Sequence, residues 1–585
     1  MSSVMRRASV ARGLALSSSL LAATAASLVF LIYGATDGLS VIDMLRSGLI
    51  LLSTWWLAWG AATALLGLPS RHDAPAPART DGPITGKTVV LVPVYNEDPQ
   101  VTFARIAAMD DSIRATGTQA RVDFVVLSDT RDEAIASAER RCFAQLVARQ
   151  NGVGRLFYRR RDKNTGRKAG NIEDFITSSG AAWDYALILD ADSLMEGETI
   201  LEMIRRIEAE PALGLLQTLP RVIGAQSVFG RAMQFAAGFH SPVFARGLAA
   251  MQGKAGPFWG HNAIVRIRAW SESCGLPELP GPPPFGGHIL SHDYVEAALL
   301  ARAGWTVRLD DDLDGSYEEG PENIIDHAKR DRRWCQGNLQ HAMIVGAPGL
   351  LPWSRFSLIL GIFAYIAPLI WLAFIAASVA AAYWGGELNY FPVANWPFPV
   401  FPNDETPKAI GLAVGVFGLL VMPKLLVWAE AVVTGRAKGF GGAGRSLRAM
   451  LSELALSSLI APVLLAFQSR SVLQVLFGRD GGWPPNNRGD GGLRFAEAWA
   501  AGAWISAWGL GGIALANVLA PDLTLWLLPV ALPMVLAPAL IWWTSRPAAT
   551  GRFLTPEQAS LPPVVSRHHA VLADWAKPTK EVKVG

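Results

Sequence analysis

Apolar stretches recur along the chain at a length that crosses a bilayer. Residues 14–33 (LALSSSLLAATAASLVFLIY) and 48–68 (GLILLSTWWLAWGAATALLGL) each run about 20 residues without a charge, enough for a helix to cross about 30 Å of hydrocarbon. The same density returns at 357–384, 409–433, 498–520 and 523–545, which predicts six spanning helices. A cleaved leader is the alternative for the first, but its apolar run is long and a second follows at once. Residues 451–477 differ: ELALSSLIAPVLLAF is short and then breaks at Gln468, Ser469 and Arg470. That pattern predicts a hairpin or an interfacial helix rather than one crossing.

Arginine and lysine near the span ends set the orientation. Arg6, Arg7 and Arg12 precede the first span and put the N-terminus in the cytoplasm. Two spans return the chain there, so 71–350 is expected inside and the acidic, Pro-rich loop 385–407 outside. The loop with Arg436, Lys438, Arg445 and Arg448 is then inside again. The stretch 479–496 and the tail after Arg546 are also basic; both are internal only if 451–477 crosses an even number of times or not at all. The expected domains are two transmembrane helices (1–70), a linker (71–83), a cytoplasmic domain (84–345), a C-terminal transmembrane region (346–547) and a cytoplasmic tail (548–585).

Within the cytoplasmic segment the pattern changes to short apolar runs separated by helix-length intervals. KTVVLVPV (87–94), VDFVVLS (122–128), RLFYR (155–159), YALILD (185–190) and GLLQTL (214–219) read as strands. Strand–helix alternation predicts a mostly parallel, doubly wound α/β sheet that binds ligands at the carboxyl ends of its strands.

Composition narrows the class. Hydrophobic residues make up 51% of 585, and the 56 glycines raise the apolar share to about 60%, above the usual 45–50%. Charged residues are only 17% and Trp reaches 21, so the excess apolar mass faces lipid. Three widely spaced cysteines exclude a disulfide scaffold and a zinc CxxC pair. A net charge of +3 gives no concentrated basic face for nucleic acid.

Candidate chemistry sits at the predicted strand ends. The first strand runs into Pro93-Val94-Tyr95-Asn96-Glu97-Asp98, the second into Asp129, and the fourth into Asp190-Ala191-Asp192. A turn or a helix N-cap is the alternative for each. Two carboxylates held together at a strand end fit a divalent cation, since Mg²⁺ commonly takes one or two carboxylates plus substrate phosphates. Between them lies RRRDKNTGRKAGN (159–171), whose cations precede a helix start and suit a diphosphate. Its individual arginines read as a solvated loop. Downstream come PFWGHNAIVR (257–266), ILSHDY (289–294) and RDRRWCQGN (330–338). Asp293 fits either a helix N-cap or a general base; His261 and His292 on their own read as ordinary polar residues. The arginines near 330 could meet lipid headgroups, and Trp334 could be an interface anchor.

In their order and spacing, Pro93-Val94-Tyr95-Asn96-Glu97, Asp129, Lys168-Ala169-Gly170-Asn171, Asp190-Ala191-Asp192, Phe258-Trp259-Gly260-His261, His292-Asp293 and Arg330-Asp331-Arg332-Arg333-Trp334 resemble the processive family 2 glycosyltransferases, over roughly 84–345. Through NTGRKAGN, LSHDYVEAALLARAGW and RRWCQGNLQH the chain is most similar to the synthases of osmoregulated periplasmic glucans in Gram-negative bacteria. The resemblance implies a GT-A nucleotide-diphospho-sugar transferase domain inserted in a polytopic α-helical protein of the bacterial inner membrane. It also implies UDP-glucose as donor, a growing β-1,2-linked glucan as acceptor, Mg²⁺ or Mn²⁺ as cofactor, and a periplasmic glucan-modifying protein as a further partner. By position it assigns Tyr95, Glu97, Asp129, Lys168 and Asp190 to the nucleotide sugar, and Asp192 with Asp190 to the metal. Asp293 becomes the base, and Trp259, His261, Arg332, Arg333 and Trp334 the contacts to acceptor or leaving group.

The family's usual Q-x-x-R-W has Arg330 in place of Gln here, and the roughly 40 residues after the last span are too few for a separate regulatory domain. Three other readings use all or part of the same pattern. A lipid-linked sugar transferase would share the donor site, and a cellulose-like synthase the whole constellation. A transporter with a regulatory nucleotide domain would need no base, and the chain has no GxxxxGK[ST] loop.

Overall fold

A computed structural model describes residues 3–34, 39–69, 77–384, 406–479, 491–549 and 551–577. Two long helices, α1 (Ser3–Gly34) and α2 (Val41–Gly67), open the chain and pack on each other. The α/β domain then runs β1 (Thr88–Val94), α3 (Pro99–Ala115), β2 (Val122–Ser128), α4 (Glu133–Gln150), β3 (Leu156–Arg160), α5 (Arg167–Ser179), β4 (Tyr185–Ile188), β5 (Leu194–Met195), α6 (Gly197–Ala209), β6 (Leu213–Gln217) and β7 (Arg221–Ile223). It continues through α7 (Val228–Phe239), α8 (Ser241–Gln252), β8 (Ala263–Arg266), α9 (Ile267–Ser273), α10 (His292–Arg302), β9 (Thr306–Leu309), β10 (Ser316–Glu319) and α11 (Ile324–Gln340). The second helical region holds α12 (Pro352–Trp384), α13 (Thr406–Val433), α14 (Ala443–Leu476), α15 (Phe495–Leu519), α16 (Pro521–Val535) and α17 (Ala537–Thr544), followed by α18 (Pro556–Ala559) and α19 (Pro563–Trp575).

Seven strands form one sheet in the order β3-β2-β1-β4-β8-β6-β9. The five strands expected from the sequence are all in it. Two more, β8 and β9, join them, and β8 runs antiparallel to both β4 and β6. Period-2 alternation explains why β1 is apolar throughout: Val90 and Val92 enter one core, Val89 and Leu91 the other, as a strand covered by helices on both faces requires. A small sheet, β5-β10-β7, lies beside the carboxyl ends.

Among the described residues, six helices are long and apolar enough to cross a membrane: Val4–Ile32, Val41–Gly67, Pro352–Trp384, Pro407–Val433, Ala443–Leu476 and Phe495–Leu519. The pair α16 and α17 makes a further candidate, bent by 55° at its break. The hairpin expected at 451–477 is not present, because α14 is one unbroken 34-residue helix that carries Pro462 within it. Both ends of α14 lie against the α/β domain. Just before its start, Phe440 packs edge-on to Phe235 and Phe239 of α7. Near its end, Gln474 and the Arg479 carbonyl accept hydrogen bonds from Arg332 of α11, at 3.3 and 2.8 Å.

The expected boundaries also miss one participant. Val564, Val565 and Val571 of α19 are buried in the same core as α3 and α6, and the Val564 amide donates to Glu196 at 2.9 Å. The C-terminal segment is thus part of the α/β domain's packing. The external loop expected at 385–407 and the basic stretch at 479–496 fall largely outside the described residues.

The first helices join the α/β domain by close backbone approach. A Cβ added to Gly67 would stand 1.8 Å from the Val243 carbonyl oxygen of α8, and one added to Gly247 would stand 1.9 Å from that of Thr63 in α2. Arg12 of α1 reinforces the joint by donating to the Met251 and Gln252 carbonyls at 2.7 and 2.8 Å. Gly247→Val should destabilise the joint by about 1–3 kcal/mol. The expected readout is a lower unfolding temperature of the detergent-solubilised protein; an unchanged temperature would show that the joint yields.

Candidate active site

The strands β1, β2 and β4 end together, and the residues that follow them wall a cavity of about 1020 Å³. It brings together Tyr95, Glu97, Asp129, Lys168, Asp190, Asp192, Trp259, His261, Asp293, Arg333 and Trp334. Among the residues expected from the sequence only Arg332 stays out.

At the end of β1 the chain turns with Asn96 in the left-handed region, φ 59°. The Tyr95 amide donates to the Glu97 carboxylate and the Asn96 amide to Thr130 Oγ1 at 3.0 Å, so the turn is fixed by its own side chains. Asp129 is buried and both its oxygens accept from Arg161, each at 2.8 Å. Arg161 also donates to the Thr165 and Arg167 carbonyls at 3.1 and 3.0 Å. The solvated-loop reading is therefore corrected for Arg161. Arg159 and Arg160, at the end of β3, instead pair with the exposed Asp174 and Glu133 at 3.0 and 2.7 Å.

Lys168, in the first turn of α5, pairs with Asp190 and donates to the Gly260 carbonyl at 2.7 Å. Gly260 takes φ +86°, which a side chain would strain, and its Cα lies beside Asp293, so that a Cβ there would be in van der Waals contact with it at 3.5 Å. The Asp190 amide is held by Ser193 Oγ at 2.9 Å, and Ser193 donates in turn to Asn262 at 2.5 Å. His261 stands 3.4 Å from Glu318 of β10; burial disfavours its cation, but Asp190 and Glu318 outweigh that and raise its pKa.

Asp190 and Asp192 offer oxygen ligands on the cavity wall, and no group of three His, Cys, Asp or Glu side chains among the described residues could hold a metal alone. Two carboxylates completed by diphosphate oxygens and water are a usual Mg²⁺ set, so the residues present fit a divalent cation that arrives with its nucleotide.

Asp293 occupies the first turn of α10. Burial raises its pKa, and the neighbouring His292 works against that rise. On α11 the cavity is lined by Arg330, Asp331, Arg333, Trp334 and Asn338. At 100° per residue Arg332 falls on the opposite side of that helix, where it bonds α14. The Arg330 guanidinium carbon lies over the Trp334 ring, 4.6 Å from its centroid. Beyond α11 the cavity continues to Gly361, Ala364 and Tyr365 of α12 and to Gln468 of α14, with Tyr365 donating to Asp331 at 3.2 Å.

Sequence reasoning missed Arg161, Glu318, Asp331 and Tyr365 as site residues. Tyr365 and Gln468 carried a usable signal, as polar side chains inside apolar stretches. Glu318 carried none, because its strand belongs to the small sheet.

A model of glycosyl transferase family 2 matches residues 89–272, and one of glycosyl transferase family group 2 matches 185–398. The chain is 63% identical over 559 residues to glucans biosynthesis glucosyltransferase H of Cereibacter sphaeroides, covering 96% of this chain and 94% of that one. It is 40% identical to the protein of that name in Caulobacter vibrioides, over 90% of this chain and 81% of the relative. It is 39% identical to the one in Bradyrhizobium diazoefficiens, over 93% and 74%. Among solved structures, a mannosyltransferase from Pyrobaculum calidifontis in complex with GDP-Man and Mn²⁺ is similar at 16% identity and TM-score 0.47, over 75% of this chain and all of that one.

Removing the partner of a buried carboxylate leaves its charge uncompensated. Arg161→Ala should therefore weaken binding of UDP, the nucleotide that the resemblance implies, by about tenfold or more, equivalent to 1.4 kcal/mol. Isothermal titration checks this, and unchanged affinity would remove Asp129 from the nucleotide site.

Proposed function

The chain belongs to the glucans biosynthesis glucosyltransferases H within glycosyl transferase family 2, and from that membership we propose the specific reaction. It is a multi-pass, glucan-synthesising glycosyltransferase with a GT-A-type α/β domain. Its donor is UDP-glucose, its acceptor the non-reducing end of a β-1,2-linked glucan, and its product an osmoregulated periplasmic glucan. The observation that carries this reading is one cavity that joins the carboxylates at the strand ends to Tyr365 and Gln468 between long apolar helices.

Chemically, the acceptor hydroxyl oxygen forms a bond to the anomeric carbon of glucose while the bond from that carbon to the diphosphate breaks. Asp293 takes the hydroxyl proton, and UDP leaves with the bonding electrons on the face opposite the attack, which inverts α to β. Burial raises the pKa of Asp293, which makes its carboxylate a stronger base than a solvated one. Tyr95, Glu97 and Asp129 hold the uridine side and Lys168 the diphosphate, while Trp259, Trp334 and Arg333 face the sugar chain. A divalent cation at Asp190 and Asp192 would supply charge neutralisation on the diphosphate.

The packing supports six crossings and a domain and C-terminus on the same, cytoplasmic side of the bacterial inner membrane. Helix α14 meets the α/β domain at both ends, which favours an interfacial course beneath it. The chain comes back at 545–546, where the Val228 amide donates to the Arg546 carbonyl at 2.8 Å. With α14 interfacial, α12, α13, α15 and the bent α16–α17 make an even number of crossings. A polar glucan cannot cross hydrocarbon unaided, so the cavity's extension toward α12 favours export along these helices to a periplasmic modifying protein.

Two experiments test the reading. Asp293→Asn should lose about 10²–10⁴-fold in transfer rate while still binding UDP, since an amide accepts no proton at neutral pH, and Asp192→Ala should be inactive though inserted in the membrane. The assay is radiolabelled UDP-glucose on membranes with sizing of the product. Full activity of either variant overturns its assigned role, and a lipid carrying one sugar overturns processive synthesis. For topology, reporters at residue 300 and at the C-terminus should read cytoplasmic and one near 395 external; an external C-terminus would make α14 a span.

A further inference from the structure

The mechanism above uses Asp293 and leaves its neighbour unassigned. His292 lines the same cavity, with only 12% of its side chain exposed. Its Nδ1 is 2.8 Å from a carboxylate oxygen of Glu296, one turn along α10. Glu296 is itself 2% exposed, an expensive place for a carboxylate without a partner. The hydrogen bond fixes both the ring's orientation and its protonation at Nδ1, leaving Nε2 for the cavity.

We infer that Glu296 and His292 are positioning residues for the base: Glu296 holds the ring at the start of α10 so that an imidazolium stands beside Asp293 and keeps its carboxylate ionised inside a buried site. Burial alone favours the protonated acid of Asp293, which cannot accept the acceptor's proton. A cation fixed on the adjacent residue offsets that tendency at no cost in reorganisation.

The surroundings agree. Burial disfavours the His292 cation, but Glu296 foremost, and Asp293 after it, reverse this and raise its pKa. Lys168 of α5 opposes the imidazolium and also helps to keep Asp293 ionised, whereas Glu296 acts directly against that ionisation, though less than His292 favours it. Glu173 of α5 faces Glu296 and is raised by burial and by that carboxylate. Cys274, whose thiol is 3.8 Å from the Glu296 carbonyl, is kept protonated by burial. His341, after α11, contacts the Ser291 carbonyl at 3.1 Å and is pushed down to about 4 by burial, so it carries no competing charge. Tyr294 is likewise held in its neutral form.

The test is the pH profile of glucosyl transfer by the full-length protein in detergent or nanodiscs. The inference rests on Asp293 as base, so the acid limb of the profile reports its ionisation. Glu296→Gln keeps an acceptor for Nδ1 but removes the charge, and should move that limb to higher pH by about one unit, a tenfold lower rate at a fixed pH on the limb. Glu296→Asp should move it back toward wild type. His292→Gln, which changes a cavity-facing side chain, should shift the limb in the same direction and serves if the buried Glu296 variant does not fold. A limb that stays in place in these variants while Asp293→Asn is inactive overturns the pairing alone; an Asp293→Asn variant with wild-type rate overturns the assignment of the base itself.

Discussion

Carboxylates crowd the carboxyl ends of β1, β2 and β4, and the site depends on cations brought to them from elsewhere in the chain. Asp129 is answered by Arg161 and Asp190 by Lys168, both from the segment after β3. Glu318 is answered by His261, and Glu296 of α10 by His292. Like charges this close would otherwise drive one another to protonate. The arrangement accounts for two of the basic residues of 159–171: Arg161 holds the buried Asp129 and Lys168 holds Asp190, while Arg159 and Arg160 pair with exposed carboxylates at the surface. It also leaves the cavity able to accept a substrate that carries both a diphosphate and hydroxyl groups, since each class finds charges of the opposite sign or carboxylate acceptors.

The same cavity has a second wall that the sheet does not supply. Helices α7 and α8 leave the sheet and pack into the long apolar helices, with Phe235 and Phe239 sharing a core with Val427, Ile460, Ile505 and Ile541. On the far side, α19 closes against α3 and α6. The α/β domain is thus clamped between the N-terminal joint, where Gly67 and Gly247 let two backbones touch, and the C-terminal segment. In the proposed reaction such fixation would hold the acceptor end within reach of Asp293 while the rest of the polymer extends away.

The sequence made much of this legible, for reasons that differ by region. The helices were readable because lipid imposes length and apolarity on every turn. The five strands were readable because burial on both faces makes a strand apolar throughout, and the strand-end carboxylates because so little else explains paired charges there. Strands β8 (AIVR) and β9 (TVRL) escaped because an arginine cuts each apolar run to three residues or fewer, whereas the equally short β4 sits in the longer run YALIL, and α19 escaped because its core-facing residues lie 245 or more positions beyond the end of β10 in a short amphipathic helix of ordinary composition. The continuity of α14 was masked by Gln468, Ser469 and Arg470. These look like an interruption in an apolar stretch, yet Gln468 faces the cavity and Arg470 stacks over Trp504 at 5.0 Å. Arg332 was misplaced because a motif is written as a line, whereas a helix distributes it around an axis.

That last point accounts for the mixed chemistry of α11. A helix carrying Arg330-Asp331-Arg332-Arg333-Trp334 in succession cannot bury one face in the ordinary amphipathic way, and it does not. Cys335 and Leu339 pack with Tyr365, Val472 and Val475, Arg332 ties the helix to the end of α14, and Arg330, Asp331, Arg333 and Trp334 turn to the cavity. These three attachments set the rotation of the helix about its axis and direct Trp334 to the cavity. The replacement of the family's usual Gln by Arg330 fits this picture. Its guanidinium stacks on the Trp334 ring and faces Glu318, so the position supplies a delocalised cation that stiffens the aromatic platform where an amide would supply only hydrogen bonds.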